Sequence, residues 1–268
     1  MTLRTDLAIE SAAGIKPSDG VGTATRTDGG CKITETRILT DSAAEKTGKP
    51  KGTYLTAEVG NIAQGLVEAG GTADVLCRLL CSILPPFSSA LVIGLGNPSL
   101  TADALGPRTA NGVLATRHIE KALAESIGLA GLNSVSVLSP GVLGQTGMEA
   151  AEVVRAAVRT VAPDVVIVID ALAAADTARL GTTVQMNNFG IAPGAGVGNR
   201  RKEISQHTLG IPVVAVGVPT VTATENENLI ITSREIDLLI QRASELLSHA
   251  INFSLQQEID RDILLSLV

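Results

Sequence analysis

Aromatic residues are almost missing from this sequence. Its 268 residues include three phenylalanines, one tyrosine and no tryptophan. The net charge is −6, and lysine and arginine form no block along the chain. Sites that bind nucleic acids combine basic grooves with aromatic stacking platforms. The composition therefore argues against direct binding of a nucleic acid.

Long apolar runs and paired cysteines are also lacking. No run of about 20 apolar residues without a charge is present, which argues against a membrane-spanning helix. The N-terminal sequence MTLRTDLAIESAA carries acidic residues where a secretory signal peptide has an apolar stretch. The three cysteines are an odd number, which favours reduced thiols over a disulfide framework. These features predict a cytoplasmic protein with no membrane partner.

Segments with the pattern of β-strands alternate with helical segments along most of the chain. This alternation predicts an α/β fold, with a mostly parallel sheet and helices on both faces. The clearest strand is DVVIVIDALAA at residues 164–174, because a continuous β-branched run is typical of a strand buried on both faces. Other strands are predicted at residues 31–40, 52–60, 90–97, 133–141, 182–188 and 211–220. Helices are predicted at residues 41–52 (a short helix with a turn), 71–84, 104–125, 147–162 and 233–255, the last capped by Ser233.

The N-terminal part of the chain has a different pattern. Residues 1–30 are rich in threonine, glycine and aspartate with little periodicity, which predicts a loosely ordered start. Up to about residue 88 the strand pattern looks more antiparallel. We therefore expect a smaller N-terminal β-containing lobe that packs on the sheet or extends it within a single domain.

Two aspartates follow apolar strands, where open α/β sheets bind their ligands. Asp170 closes the run VVIVID, and Asp103 lies in the loop LGNPSLTADALGP after the strand at 90–97. A close pair would share one proton, because two like charges do not both ionise without a large electrostatic cost. The ionised carboxylate would then activate a water, and the protonated one would polarise a carbonyl.

Two other interpretations of the aspartates are open at this point. With a histidine, the two carboxylates could hold a divalent metal. Alternatively, Asp103 could cap a helix that begins at Ala104, while Asp170 bonds to the turn after its strand.

A glycine-rich loop at residues 190–204 is a candidate for substrate binding. Gly194, Gly196 and Gly198 are evenly spaced, so the sequence GIAPGAGVGNRRKEI does not meet the G-x-G-x-x-G pattern of dinucleotide sites. A flap, or a close backbone approach to an extended peptide, fits such a loop better. We expect these three glycines and Asn199 to contact the substrate.

Metal ligands and a serine nucleophile find no support in the sequence. His118, His207 and His249 have no cysteine or acid partner at metal-ligand spacing, and Cys77 and Cys81 lack the second pair that a zinc site needs. No G-x-S-x-G motif is present. We therefore predict no cofactor, with metal use by the aspartates as the open alternative.

Eight stretches of the sequence match one protein family in order. They are RTDLAIE (4–10), KPKGTYLTAEV (49–59), VIGLGN and TADALGP (92–107), TRHI (116–119), LSPGVLGQTGMEA (138–150), PDVVIVIDALAA (163–174), GIAPGAGVGNRRKEIS (190–205) and LGIPVVAVGVPTVT (209–222). Together they resemble the germination proteases of spore-forming bacteria. Members of that family are endopeptidases that degrade small acid-soluble spore proteins when the spore germinates.

The resemblance implies a fold, a mechanism and a location. The fold would be of the phosphorylase/hydrolase-like type found in hydrogenase-maturation peptidases. The mechanism would be of the aspartic type, with Asp103 of TADALGP and Asp170 of VIDALAA as the catalytic pair. The resemblance also implies a homotetramer in the forespore or spore core, with small acid-soluble spore proteins as substrates.

The resemblance further implies a zymogen that removes its own N-terminal segment. The processing site would be similar to the substrate site, an acidic residue followed by an apolar one and alanine. The sequence Thr-Asp-Leu-Ala at residues 5–8 fits, so we expect cleavage between Asp6 and Leu7. Residues 1–6 would be the propeptide and residues 7–268 the peptidase domain.

One departure from the family pattern leaves alternatives to test. Family members carry an extra segment after the GVPT strand, whereas here residues 221–228 lead almost directly into the last long helix. The alternative functions are a metal-dependent peptidase of the hydrogenase-maturation type and an inactive relative that binds spore proteins. Both aspartates are present, which favours the active peptidase.

Overall fold

The computed structural model describes residues 5–65, 69–194, 202–224 and 229–267. The strands are β1 (Val21–Asp28), β2 (Cys31–Ile38), β3 (Gly52–Glu58), β4 (Ser89–Gly94), β5 (Ser134–Leu138), β6 (Val165–Ala174), β7 (Thr183–Asn187), β8 (Gly190–Ile191), β9 (Ile204–Ser205), β10 (Val213–Ala223) and β11 (Ile230–Thr232). The helices are α1 (Ala8–Ser11), α2 (Asp41–Thr47), α3 (Ala69–Ile83), α4 (Leu105–Asn111), α5 (Lys121–Ser126), α6 (Leu143–Thr146), α7 (Ala150–Val161), α8 (Gln206–Leu209), α9 (Ile236–Leu255) and α10 (Arg261–Ser266).

Most of these strands join one sheet. Its strand order is β1-β2-β3-β7-β10-β6-β4-β5, with β11 beside β10, while β8 and β9 form a separate pair. Strands β10, β6, β4 and β5 run parallel to one another. Strands β1, β2, β3 and β7 pair antiparallel and continue the sheet as far as β10. The predicted α/β fold with an N-terminal β-containing part is confirmed.

Strand β6 lies in the middle of the core, as its continuous apolar run predicts. Its side chains alternate between the two faces of the sheet. Val165, Ile167 and Ile169 pack in the cluster that includes α3, α4 and α9, and Val166 and Val168 pack on the other face against α7. All five are fully buried. Helices thus cover both faces, and within the described ranges none of them is long and apolar enough to span a bilayer.

The expectation of a loosely ordered N-terminal region is wrong. Residues 21–28 form β1, which pairs with β2 along its whole length, and residues 8–11 form the short helix α1. Val21 is the one buried side chain of this edge strand, and the other side chains of β1 are exposed or half-buried. An edge strand with so little burial has no apolar alternation, so its sequence carried no strand signal.

The single helix predicted at residues 104–125 is also wrong. Helix α4 ends at Asn111, and α5 begins only at Lys121. Between them the backbone bonds to other elements: the Leu114 N–H donates to the Asn252 side chain at 2.9 Å, and the Thr116 N–H to the Val135 carbonyl at 2.9 Å. Tertiary partners for these backbone groups replace helical hydrogen bonds there.

Two other predicted helices begin later than expected. The helix predicted from residue 147 begins at Ala150, because Gly147 adopts a left-handed conformation that ends the preceding α6. The helix predicted from residue 233 begins at Ile236. The Ser233 hydroxyl accepts a hydrogen bond from the Glu235 N–H, before the helix starts, so Ser233 is not its cap.

We expect Gly106→Ala to destabilise the protein by roughly 1–3 kcal/mol, because α4 crosses the sheet with backbone against backbone. A Cβ at Gly106 would lie 2.2 Å from the Leu95 carbonyl oxygen and 2.6 Å from that of Ile169. Gly144→Ala is the matched control, since a Cβ there meets no atom within 4 Å. Urea unfolding of both variants measures the difference, and equal midpoints for the two would contradict the prediction.

Candidate active site

Asp170 lies on β6 where the neighbouring strand β4 has just ended. Gly94, the last residue of β4, pairs with Ile169. The Asp170 side chain is 6% exposed, and its Oδ1 accepts a hydrogen bond from the N–H of Ala171 at 2.9 Å. Burial raises the pKa of this carboxyl well above its usual range, and the negative charges of Asp103 and Asp6 raise it further. Strand β6 continues to Ala174, so Asp170 does not end its strand.

Asp103 is brought to the same place by the loop that follows β4. The chain turns sharply at Gly96, where a Cβ would lie 2.0 Å from the Asp103 carbonyl oxygen. The Asp103 Oδ2 accepts a hydrogen bond from the Asn97 N–H at 2.7 Å. The residue before helix α4 is Ala104, which has no side-chain cap, so the interpretation of Asp103 as a helix cap is wrong. Burial raises the pKa of Asp103, and the bond from Asn97 opposes that rise.

The two aspartates open into one cavity of about 490 Å³, and Asp6 lines the same cavity. The charge of Asp103 adds to burial in raising the pKa of Asp170, so a proton on this pair favours Asp170. This is the arrangement that acid–base chemistry with two aspartates needs.

The N-terminal segment is held at this cavity by the exposed edge of β6. The Leu95 N–H donates to the Ile169 carbonyl at 2.8 Å, and beyond that point no β4 residue pairs with β6. Asp6 takes the vacated edge: its N–H donates to the Ala173 carbonyl at 2.8 Å, and its Oδ2 accepts from the Ala173 N–H at 2.9 Å. The chain at Asp6 is thus bonded to the part of β6 that β4 leaves unpaired, three residues beyond Asp170.

The residues on either side of Asp6 are also anchored. Leu7 is fully buried against Leu172 and Ala174. The Lys49 Nζ donates to the Thr5 carbonyl at 2.8 Å, and burial lowers the pKa of this ammonium while the charges of Asp6 and Glu10 oppose the shift.

Sequence comparisons identify one family. The family model for germination protease matches residues 6–227. The chain belongs to the germination protease family. It is 38% identical to the germination protease of Caldanaerobacter subterraneus subsp. tengcongensis, over 95% of this chain and 94% of that protein. It is 37% identical to the germination protease of Clostridium acetobutylicum, over 97% of this chain and 82% of that protein.

Other relatives show the same relationship. The chain is 40% identical to the germination protease of Priestia megaterium, over 90% of this chain and 68% of that protein. The alignment with the Caldanaerobacter protein spans 310 positions, more than the 268 residues here, so that relative has segments with no counterpart in this chain. Among solved structures, a [NiFe] hydrogenase maturation protease from Thermococcus kodakarensis matches with a TM-score of 0.40 and 16% identity, over 65% of this chain and 98% of that one.

The glycine-rich loop at residues 190–204 is only partly described. Gly194 lines the cavity of the two aspartates, and its contact with substrate stays a prediction. Gly196, Gly198 and Asn199 lie outside the described residues, so their predicted contacts stay predictions. Lys202, at the end of the loop, also lines the cavity and bonds to Glu152 at 2.7 Å.

Histidines and cysteines take no part in the cavity. Neither the three histidines nor the three cysteines are among the residues that line it. Within residues 5–65, 69–194, 202–224 and 229–267, no group of three or more His, Cys, Asp and Glu side chains is arranged to hold a metal ion. The described part of the chain therefore offers no set of ligands for the alternative in which the two aspartates hold a metal ion.

Sequence reasoning missed two polar residues that contact the N-terminal segment, the half-buried Lys49 and the buried Gln185. Lys49 lies in the loop before β3, and Gln185 lies in the middle of β7 with 4% of its surface exposed. A glutamine inside the otherwise apolar stretch TTVQM is a weak sequence signal. A buried polar side chain needs hydrogen-bond partners, but the sequence does not say which partners these are.

Proposed function

We propose that this protein is an endopeptidase that begins the degradation of small acid-soluble spore proteins during germination. It cuts after an acidic residue, with Asp103 and Asp170 as the catalytic pair, and it is made as a zymogen that removes residues 1–6 itself. One observation carries the proposal: Asp6, which precedes the apolar Leu7, lines the same cavity as both aspartates and pairs with β6 at Ala173. An acidic–apolar sequence therefore lies where a substrate would bind.

The environments of the two aspartates support different roles in acid–base catalysis. Asp170 keeps the shared proton, because its carboxyl is enclosed by protein and lies near other negative charges. Asp103 is less deeply buried, and the Asn97 N–H favours its ionised form. Asp103 thus removes a proton from water, while Asp170 hydrogen-bonds to the carbonyl under attack. The water oxygen bonds to the carbonyl carbon, the C–N bond breaks, and the proton taken from water goes to the leaving nitrogen.

The contacts of the N-terminal segment support recognition of an extended peptide with an acidic residue. Backbone pairing to a sheet edge binds a peptide without regard to most of its side chains. The acidic side chain itself accepts a hydrogen bond from the Ala173 N–H, and the half-buried Lys49 ammonium lies close enough for the two charges to attract each other. The apolar residue that follows fills the space beside Leu172, as Leu7 does here.

We expect the purified full-length protein to lose residues 1–6 and to begin at Leu7, because Asp6 lines the cavity of the two aspartates. Intact-mass measurement over time detects this change. Asp170→Asn is the control and should keep its full mass under the same conditions. A mature start other than Leu7, or the same processing in the Asp170→Asn protein, would contradict self-cleavage at this bond.

We also propose a homotetramer in the forespore and spore core, on the strength of the family alone. Hydrolysis that a chelator abolishes would instead favour a metal-dependent peptidase of the hydrogenase-maturation type. A folded protein that binds spore proteins without cutting them would be the inactive relative.

A further inference from the structure

The buried amide of Gln185 bonds to the chain on both sides of the Asp6–Leu7 peptide bond. Its Nε2 donates to the Asp6 carbonyl oxygen at 2.9 Å. Its Oε1 accepts from the Ala8 N–H at 2.6 Å. The Ala8 N–H can only donate and the Asp6 carbonyl can only accept, so these two partners fix the orientation of the amide.

The register of the sheet places Gln185 beside Asp170. Gln185 on β7 pairs with Gly217 on β10, and Gly217 pairs with Asp170 on β6. Residues in one row across a sheet direct their side chains to the same face. Gln185 and Asp170 therefore stand on the same face with one strand between them.

Gly217 keeps the space between these two side chains suitable for a peptide. A Cβ at this position would lie 2.6 Å from the Leu172 Cγ. Leu172 is the side chain against which Leu7 packs. With glycine here, Leu172 can lie close to β10, and Leu7, the residue after the Asp6–Leu7 bond, packs against it.

We propose that Gln185 is a catalytic hydrogen-bond donor that polarises the carbonyl of the bond being cut and binds the oxygen as it becomes negative. The inference rests on the proposed function, in which Asp6–Leu7 is the scissile bond. When water adds to the Asp6 carbonyl carbon, the π electrons move to the oxygen that the Gln185 Nε2 already contacts. A preorganised donor of this kind acts more strongly on the transition state than on the substrate. The Gln185 Oε1 meanwhile holds the second residue after the cut through its backbone N–H.

The test uses the full-length chain, with processing at Asp6–Leu7, and the processed enzyme, with a synthetic peptide of residues 1–14. Gln185→Met has a similar length without either hydrogen bond. We expect its kcat to fall about 10²–10³-fold, the usual loss of one oxyanion donor, with a smaller change in KM. Gln241→Met is the matched control, because Gln241 is exposed on α9, and it should keep the wild-type kcat. Thermal unfolding of both variants checks that the fold is retained.

A second substrate isolates the bond to Ala8. In a peptide with N-methylalanine at the position of Ala8, a methyl group replaces the hydrogen that Ala8 donates to the Gln185 Oε1. We expect it to be cut more slowly than the parent peptide by wild type and at the same rate as the parent peptide by Gln185→Met. Such non-additivity is expected only if the two groups interact directly.

The outcomes separate this inference from the function on which it rests. Loss of cleavage in Asp103→Asn and Asp170→Asn together with loss of kcat in a folded Gln185→Met protein supports both. Loss in the aspartate variants with a wild-type kcat in Gln185→Met overturns the role of Gln185 alone. Cleavage that persists in both aspartate variants, or its absence from wild type, overturns the proposed function and this inference with it.

Discussion

Asp103→Asn and Asp170→Asn should each lower kcat for cleavage of the peptide of residues 1–14 by at least about 10³-fold. Proton transfer by a positioned side chain contributes about 10²–10⁴-fold to rate, and here both the base and the acid belong to one coupled pair. Asparagine is close to aspartate in size, so it removes the exchangeable proton and the charge while leaving the shape of the cavity. Mass spectrometry of the products gives both the rate and the position of the cut.

The controls for this prediction address charge and metal. Asp262→Asn removes one negative charge from an exposed position on α10 and should leave kcat unchanged. Each protein is assayed with and without a chelator. Activity that withstands the chelator and is lost in both site variants supports the aspartic mechanism. Activity in either site variant within tenfold of wild type would contradict it, and loss with the chelator would assign the two carboxylates to a metal site.

The sequence placed Asp170 in a strand buried on both faces, as the structure does, because the signal for such a strand is local. A continuous run of β-branched residues marks a strand buried on both faces, and parallel strands present their carboxyl ends at one edge of the sheet. The buried strand can be read from residues 164–174 alone, whereas the parallel direction of its neighbours follows from the alternation of strands and helices along the chain. Asp103 followed from the same rule, applied to the strand that precedes its loop.

The position of the N-terminal segment could not be predicted from sequence patterns, because its partners are distant in the chain. Asp6 bonds to Ala173, and Ala8 bonds to Gln185, across 167 and 177 positions. No periodicity within residues 1–30 indicates such contacts, since the segment is held by hydrogen bonds to β6 and β7 and by the burial of Leu7 and Ala8 rather than by a repeating apolar face. The resemblance to a family pointed to Asp6 and Leu7, but gave no physical reason for their position.

The parallel and antiparallel halves of the sheet illustrate the same limit. The strand at residues 183–187 was predicted almost to its ends, yet its direction and its place between β3 and β10 depend on pairings with residues 52–58 and 213–223. These pairings put Gln185 in the row of Gly217 and Asp170. The candidate donor therefore emerges only from the register of three strands that are far apart in sequence.

Asp170→Asn should also raise the stability of the folded protein at neutral pH, although it abolishes cleavage. The pKa of Asp170 is raised by burial and by the charges of Asp103 and Asp6. In the unfolded chain an aspartate releases its proton near pH 3.9, whereas folded Asp170 still holds it there. Between the two pKa values the folded state binds more protons, so the free energy of unfolding falls as pH rises. Asparagine has no proton to release, so the Asp170→Asn protein does not lose this part of the free energy of unfolding as pH rises.

The gain in stability therefore depends on pH in a defined direction. The gain should be close to zero below about pH 4, grow as pH rises, and level off above the pKa of Asp170 in the folded protein. Each pKa unit by which folding raises the pKa of Asp170 adds about 1.4 kcal/mol to the final gain. In a chain of this size each kcal/mol moves the melting temperature by roughly 2–4 °C. Urea unfolding of wild type, Asp170→Asn and Asp262→Asn between pH 4 and 8 measures the effect. A difference between wild type and Asp170→Asn that does not change with pH would show that Asp170 titrates as it does in the unfolded chain, and would remove the basis for assigning it the shared proton.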